Sequence, residues 1–344
     1  MQEALIRAIG ALFTATIFCW LTLPWVIQYL TKLKIGQMIQ DDGPAHQQKA
    51  HTPTMAGLWL IVVWCVTCGL WMDTSHPYFW ILQLVLLGYL LLGIADDASK
   101  IIFKDNNKGL SVRVKFIFQF LLASLGVGLW LSYAGHAGIN IIYLPHALTK
   151  IGLNLSILYP VFAVLVVIGS ANSVNLTDGL DGLVSVPIIL MCVGMSCLIS
   201  LFETALPQTV LNDTQLISYL PEFIVYLSGL AGVFLAFLWY NAHPAEVFLG
   251  DTGTMCVGAV LGFLALMLKV EVYFAIMAGL FIWEAVSVMI QVGYYKLYKQ
   301  RIFLMAPIHH HYEKKGWKET KVVVRFWLIS VFFLLISISI LLLS

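Results

Sequence analysis

The stretch Phe79-Trp-Ile-Leu-Gln-Leu-Val-Leu-Leu-Gly-Tyr-Leu-Leu-Leu-Gly-Ile-Ala95, followed by Asp96-Asp97-Ala-Ser-Lys100, decides how the chain is read. An apolar run ends abruptly in two adjacent carboxylates, with a cation at the next turn. A run of that length suits a helix crossing about 30 Å of hydrocarbon. If the helix continues, Asp96 and Lys100 are an i,i+4 pair and Asp97 and Lys100 an i,i+3 pair, so one lysine neighbours both acids. A carboxylate at mid-bilayer costs roughly 2.5–3.5 kcal/mol, which puts the pair at a membrane–water boundary. Hard oxygen ligands there suit Mg²⁺ beside a phosphate. The plainer reading is a stop-transfer boundary that happens to be acidic.

The pattern recurs along the chain. With 60% hydrophobic and 11% charged residues over 344 positions, composition excludes a soluble globular protein. Apolar runs at about 8–31, 57–72, 79–95, 115–133, 158–174, 184–202, 223–240, 255–269, 272–295 and 323–343 predict ten transmembrane helices. The expected fold is therefore an all-α polytopic membrane protein, a single integral membrane domain over 1–344. A formal net charge of +1 gives no global field for nucleic acid. Cys19, Cys65, Cys68, Cys192, Cys197 and Cys256 all lie in apolar runs. No second cysteine or histidine pair accompanies Cys65-x-x-Cys68, so all six read as packing residues. The first run is too long for a signal-peptide core and has no small-residue cleavage site.

Charge sets the orientation. The connections 32–56, 96–114, 175–183, 241–254 and 296–322, with the flanking Lys115 and Arg325, carry every lysine and arginine except Arg7, Lys150 and Lys269. By the positive-inside rule these five connections are cytoplasmic, and ten spans put both termini outside, in the periplasm. Outside, Asn140-Ile-Ile-Tyr-Leu-Pro145 and Ile151-Gly-Leu-Asn-Leu155, after Gly135 and Gly138, predict a small periplasmic hairpin. The cytoplasmic loops also hold eleven of the eighteen acids, an excess the positive-inside rule does not explain. The active site is expected on that face.

The five loops differ in chemistry. The first contains Asp41-Asp42-Gly-Pro44 and His46-Gln-Gln-Lys49-Ala-His51-Thr52-Pro-Thr54-Met-Ala56-Gly57, where Lys49 is either a phosphate contact or a snorkelling interfacial lysine. In the second, Ser111 suits an N-cap and puts Arg113 and Lys115 in the first turn of the next helix, the wrong end for dipole stability but a reasonable one for an anion. The third, Asn172-Ser-Val-Asn175-Leu-Thr-Asp178-Gly-Leu180-Asp181-Gly182, has two Asp-Gly turn steps and no cation. The fourth closes on Phe248-Leu-Gly-Asp251-Thr-Gly-Thr254, where Asp251 heads a possible helix with free N–H groups. The fifth carries Met305-Ala-Pro-Ile-His309-His310-His311-Tyr-Glu313; three consecutive histidines point three ways and make a poor zinc cage. Within the ninth run, Glu284 is either functional or a buried hydrogen-bonded acid, and Gln291 falls on nearly the same face.

Together these motifs resemble the phospho-N-acetylmuramoyl-pentapeptide transferases, within the polyprenyl-phosphate N-acetylhexosamine-1-phosphate transferase superfamily. The resemblance runs through His46-x-x-Lys49, Asp96-Asp97-x-x-Lys100, Asn107-Lys-Gly-Leu-Ser-x-Arg-x-Lys115, the 172–183 loop, Phe248-Leu-Gly-Asp251, the histidine string and Val324-Arg-Phe-Trp327. It implies transfer of phospho-MurNAc-pentapeptide from UDP-MurNAc-pentapeptide to undecaprenyl phosphate, giving lipid I and UMP with Mg²⁺ as cofactor. It also implies a bacterial inner-membrane homodimer.

Carried over, the resemblance makes Asp251 the Mg²⁺ ligand, Asp96 and Asp97 the catalytic pair, and Asp181, Leu180 and Phe248 the uridine pocket. Lys49, Thr54, Lys115, Asn175, Asp178, Gln291, His309, His310 and His311 fall on positions tied to substrate binding or activity. Ala56, His51 and Gln40 depart from the family's usual glycine, glycine and arginine. Two other readings compete: a sister enzyme moving GlcNAc-1-phosphate, and an ion-coupled transporter. A transporter's ionisable groups would sit near the midplane rather than in one-sided loops.

Overall fold

Hydrocarbon offers no water to backbone N–H and C=O groups, so an apolar chain must satisfy them within itself, and helices do so. The computed structural model describes residues 2–33, 52–103, 109–134, 139–144, 152–205 and 214–343. Helices fall on all ten apolar runs: α1 (Gln2–Lys32), α2 (Ala56–Trp71), α3 (Pro77–Phe103), α4 (Val112–Ala134), α5 (Tyr159–Thr177), α6 (Ser185–Ala205), α7 (Thr214–Asn241), α8 (Asp251–Met267), the pair α9 (Glu271–Met277) and α10 (Gly279–Tyr298), and α12 (Glu319–Leu342). By length and composition, α1, α3, α4, α5, α7 and α12 can each cross a membrane, and α9 with α10 makes up to seven. Helices α2, α6 and α8 are shorter and apolar.

Two features go beyond the pattern. The ninth run is not one rod: α9 and α10 meet at Ala278 with a bend of 77°. Met277-Ala-Gly279 is apolar and contains no proline, so hydropathy passes over the break. Gly279 lies directly against the ring of Phe333 in α12, where an added Cβ would come within 2.7 Å of it. The histidine string forms its own short helix, α11 (Ile308–Lys314). The expected hairpin pairs β1 (Ile141–Tyr143) with β2 (Gly152–Asn154) antiparallel, Ile142 opposite Leu153. Its Gly135, Gly138, Pro145 and Ile151 lie outside the described residues, as does most of the first inner loop.

The site hangs from α8. Every residue of this helix from Thr252 to Met267 is buried, so its N-terminus is fixed by packing on all sides. Small residues allow the contacts: Gly258 and Gly262, four apart on one face, sit on Ser170 of α5, where a Cβ would approach it to 2.5 Å at either position. A second, smaller core joins Leu180 and Leu183 to Leu280 of α10, Ile308 of α11 and Phe326 of α12. That cluster ties the α5–α6 turn to the C-terminal helices.

Candidate active site

Helix α3 runs unbroken through Asp96 and Asp97 to Phe103, so the i,i+3 and i,i+4 geometry holds. Lys100 Nζ lies 2.6 Å from Asp96 Oδ2 and 3.8 Å from Asp97 Oδ1. It also lies 3.1 Å from Asp251 Oδ2, which comes from a helix far away in sequence. Lys115 approaches from a third element. Ser111 Oγ accepts the Val114 N–H at 3.3 Å, which starts α4 with Lys115 in its first turn. From there Lys115 Nζ sits 2.6 Å from Asp251 Oδ2 and 3.3 Å from Asp96 Oδ2. Asn175, near the end of α5, donates to Asp251 Oδ1 and to Thr254 Oγ1, both at 2.8 Å.

Asp97 has a second set of partners. Its Oδ2 accepts the Thr252 N–H at 2.9 Å and the Thr252 hydroxyl at 2.7 Å, while Oδ1 lies 3.3 Å from the Asp251 amide. A carboxylate on α3 thereby caps α8, where unsatisfied N–H groups favour negative charge. Gly250, just before α8, has φ +78°, and a Cβ there would lie 2.7 Å from Asp97 Oδ2 and 3.2 Å from Thr54 Oγ1. Thr54 is thus brought to the same corner. The Phe248 amide donates to Pro53 O at 2.8 Å and its carbonyl accepts from Ala56 at 3.1 Å, fastening the 52–57 segment to the α7–α8 connection. Ala56, one of the departures, is fully buried at the start of α2 and its methyl group is accommodated.

The 178–181 turn lies beside this cluster. Burial, and then Asp251, Asp97 and Asp181 as like charges, push the Asp178 carboxyl up to about 7. Asp181 Oδ2 faces His243 Nδ1 at 3.0 Å and accepts the Ala245 N–H at 3.1 Å, while the Asp181 amide donates to Glu319 Oε1 at 2.9 Å. The Leu180 side chain is buried in the second core.

The remaining candidates are engaged elsewhere. Gln291 Oε1 accepts from the Ile302 and Phe303 amides at 3.1 and 3.0 Å, fixing the connection before α11. The three histidines separate as expected: His309 faces Glu284, His310 Nδ1 lies 2.7 Å from Glu313 Oε2, and His311 Nδ1 accepts the Leu304 N–H at 3.1 Å. Burial lowers the His310 pKa despite Glu313, and burial together with the nearby Lys315 lowers that of His311. Lys49 lies outside the described residues.

Oxygens of Asp96, Asp97 and Asp251 lie within 4.8 Å of one another, a hard-oxygen set suited to Mg²⁺. Three carboxylates against the two ammonium groups of Lys100 and Lys115 leave a formal surplus of negative charge that a divalent ion offsets. Among the described residues a second such group, Asp181, His243 and Glu319, joins segments far apart in sequence, and no local motif announces it. The spacing of α3 and α8 rests on Gly93, where a Cβ would come within 2.6 Å of Asp251 O and Thr252 Cα. Gly93→Ala is therefore expected to push the helices apart and destabilise by about 1–3 kcal/mol. The melting temperature should fall by several degrees, and a variant that melts with the wild type would show that the contact tolerates a methyl group.

The nearly all-helical bundle, with several helices apolar and long enough to cross a membrane, gathers acids and lysines at one end, and residues 79–269 match the family model for glycosyl transferase family 4. The phospho-N-acetylmuramoyl-pentapeptide-transferase of Neisseria meningitidis serogroup A is 43% identical over 98% of this chain and 94% of its own length. That of Neisseria gonorrhoeae strain NCCP11945 is 43% identical with the same coverage, and that of Desulfosudis oleivorans is 39% identical over 98% of this chain and 93% of its own. The chain belongs to the phospho-N-acetylmuramoyl-pentapeptide-transferase family.

Proposed function

We propose that the protein transfers phospho-MurNAc-pentapeptide from UDP-MurNAc-pentapeptide to undecaprenyl phosphate, releasing UMP and forming lipid I for peptidoglycan synthesis. The observation that carries this reading is the meeting of Asp96, Asp97, Lys100, Lys115, Asn175 and Asp251, from four helices, at one end of the bundle. In this reading the chain is a single integral domain with ten crossings and periplasmic termini. It sits in the bacterial inner membrane as a homodimer, with the acid cluster at the cytoplasmic face where the lysine-rich loops lie.

Both reactants are anionic, and the reaction joins a lipid phosphate to the sugar-linked phosphorus of a pyrophosphate. Lys100 and Lys115 offset the repulsion and stabilise charge developing on the UMP leaving group. Asp251, with Asp96 and Asp97 beside it, would hold Mg²⁺, which supplies Lewis-acid charge stabilisation at the pyrophosphate. Asn175 fixes the Asp251 carboxylate from the opposite side. Asp96 and Asp97 are the acids placed to orient the lipid phosphate or accept its proton in a one-step displacement. The 178–181 turn and Phe248 form the uridine side.

An apolar cavity of about 300 Å³ between α5, α8, α9 and α10, lined by Phe162, Val166, Val174, Leu261, Phe281 and Met289, supports a polyprenyl acceptor. Its lining reaches Ser173 and Val174, next in sequence to Asn175.

The test is UMP release by purified protein with undecaprenyl phosphate, comparing UDP-MurNAc-pentapeptide with UDP-GlcNAc, with and without Mg²⁺. Release with the muramoyl substrate alone, lost on chelation and restored by Mg²⁺, is the expected result. Turnover of UDP-GlcNAc instead would assign the sister reaction. A phosphosugar–enzyme adduct trapped with nucleotide substrate alone would replace one-step displacement by two steps.

A further inference from the structure

Glu284 takes no part in the acid cluster, yet it is a carboxylate with no exposed surface in the second turn of α10. Ionisable groups at such positions persist when paired. The partner is His309, also fully buried, whose Nδ1 lies 3.1 Å from Glu284 Oε1. The far edge of the imidazole ring abuts the backbone of Gly179: a Cβ built there would overlap Nε2 and sit 2.8 Å from Cε1. Gly179 stands between Asp178 and Leu180 in the α5–α6 turn.

Apolar packing clamps the same turn. Leu180 and Leu183 share a cluster with Ile308, the residue before His309, and with Leu280, one turn before Glu284 on the same face of α10. A histidine with no exposed surface is not placed to touch substrate, and its two neighbours point to another role. We infer that Glu284 is a positioning residue, acting through His309 to hold the Asp178–Asp181 turn where its acids serve the nucleotide sugar. The inference rests on the reading of that turn as the uridine side of the site. It also gives a reason for glycine at 179, since any side chain would displace the ring.

Two variants and two readouts test it. Glu284→Leu should raise KM for the nucleotide sugar about tenfold while KM for the polyprenyl phosphate stays within about twofold. Glu284→Gln, which keeps shape and a polar atom facing Nδ1, should recover most of the loss. Gly179→Ala alters an exposed turn position rather than a helix core, and should give the same KM signature. Its effect should be non-additive with Glu284→Leu, because both act on one contact. Backbone hydrogen exchange over 178–183 should quicken in Glu284→Leu in detergent or nanodiscs, a readout independent of which nucleotide sugar is turned over.

Wild-type exchange and wild-type KM in Glu284→Leu would overturn the inference, and so would a loss confined to kcat. A wild-type protein inactive on UDP-MurNAc-pentapeptide would instead sink the proposed reaction, leaving the exchange comparison to decide the role of Glu284.

Discussion

Asparagine in place of Asp251 is expected to lower UMP release by at least about a thousandfold, equivalent to roughly 4 kcal/mol of transition-state stabilisation. The size of the effect follows from how much converges on this side chain. Its Oδ2 faces both Lys115 and Lys100, at 2.6 and 3.1 Å, and its Oδ1 accepts from Asn175 at 2.8 Å. Asparagine keeps the volume but removes the charge that gathers the lysines, and in one orientation it turns an amide donor toward two ammonium donors. It also removes one of the three carboxylates proposed to hold the divalent ion, so Mn²⁺ affinity followed by electron paramagnetic resonance should fall together with turnover. An Asp251→Asn enzyme that kept more than about a tenth of the wild-type rate at saturating Mg²⁺ would take Asp251 out of the metal role.

Much of this was legible in the sequence because bilayer physics writes in long runs. Ten apolar stretches became helices, and Asp96, Asp97 and Lys100 fell on one helix as their spacing requires. The hairpin was legible from alternation and turn residues around Ile141 and Gly152. What the sequence hid is tertiary. Nothing local says that the Asp97 carboxylate caps α8, because the donor and acceptor are 155 residues apart. The break at Ala278, beside which Gly279 packs against Phe333, has no proline or polar residue to mark it, so a hydropathy window averages it away. The three histidines point three ways, as their consecutive spacing requires, but nothing local names Glu284, Glu313 and the Leu304 amide as what they meet. Likewise Gln291, a candidate for substrate contact, spends its amide group on the backbone of Ile302 and Phe303.

The two acids of the opening motif should therefore respond differently to the same substitution. Asp96, also buried, accepts the Leu110 N–H at 2.9 Å and faces two lysines, so its contacts lie at the start of α4 and on the lysines rather than on the first-turn amides of α8. Asp97 is buried and holds the first turn of α8 through the Thr252 amide and hydroxyl, with the Asp251 amide at 3.3 Å. In Asp97→Asn, one oxygen becomes an NH₂ group set against donors, and the helix N-terminus loses its anion. Hydrogen bonds to a charged group and the helix dipole together make this a loss of about 2–3 kcal/mol. The same change shifts the residue that heads α8, Asp251, so activity should fall by at least about a hundredfold beyond any effect on proton transfer. Thermal unfolding of the purified protein separates the two acids: Asp97→Asn should melt several degrees below wild type, and Asp96→Asn should lose turnover with a smaller change in melting temperature. Equal melting temperatures for wild type and Asp97→Asn would mean that α8 is held by its packing alone and that Asp97 acts only on the substrate.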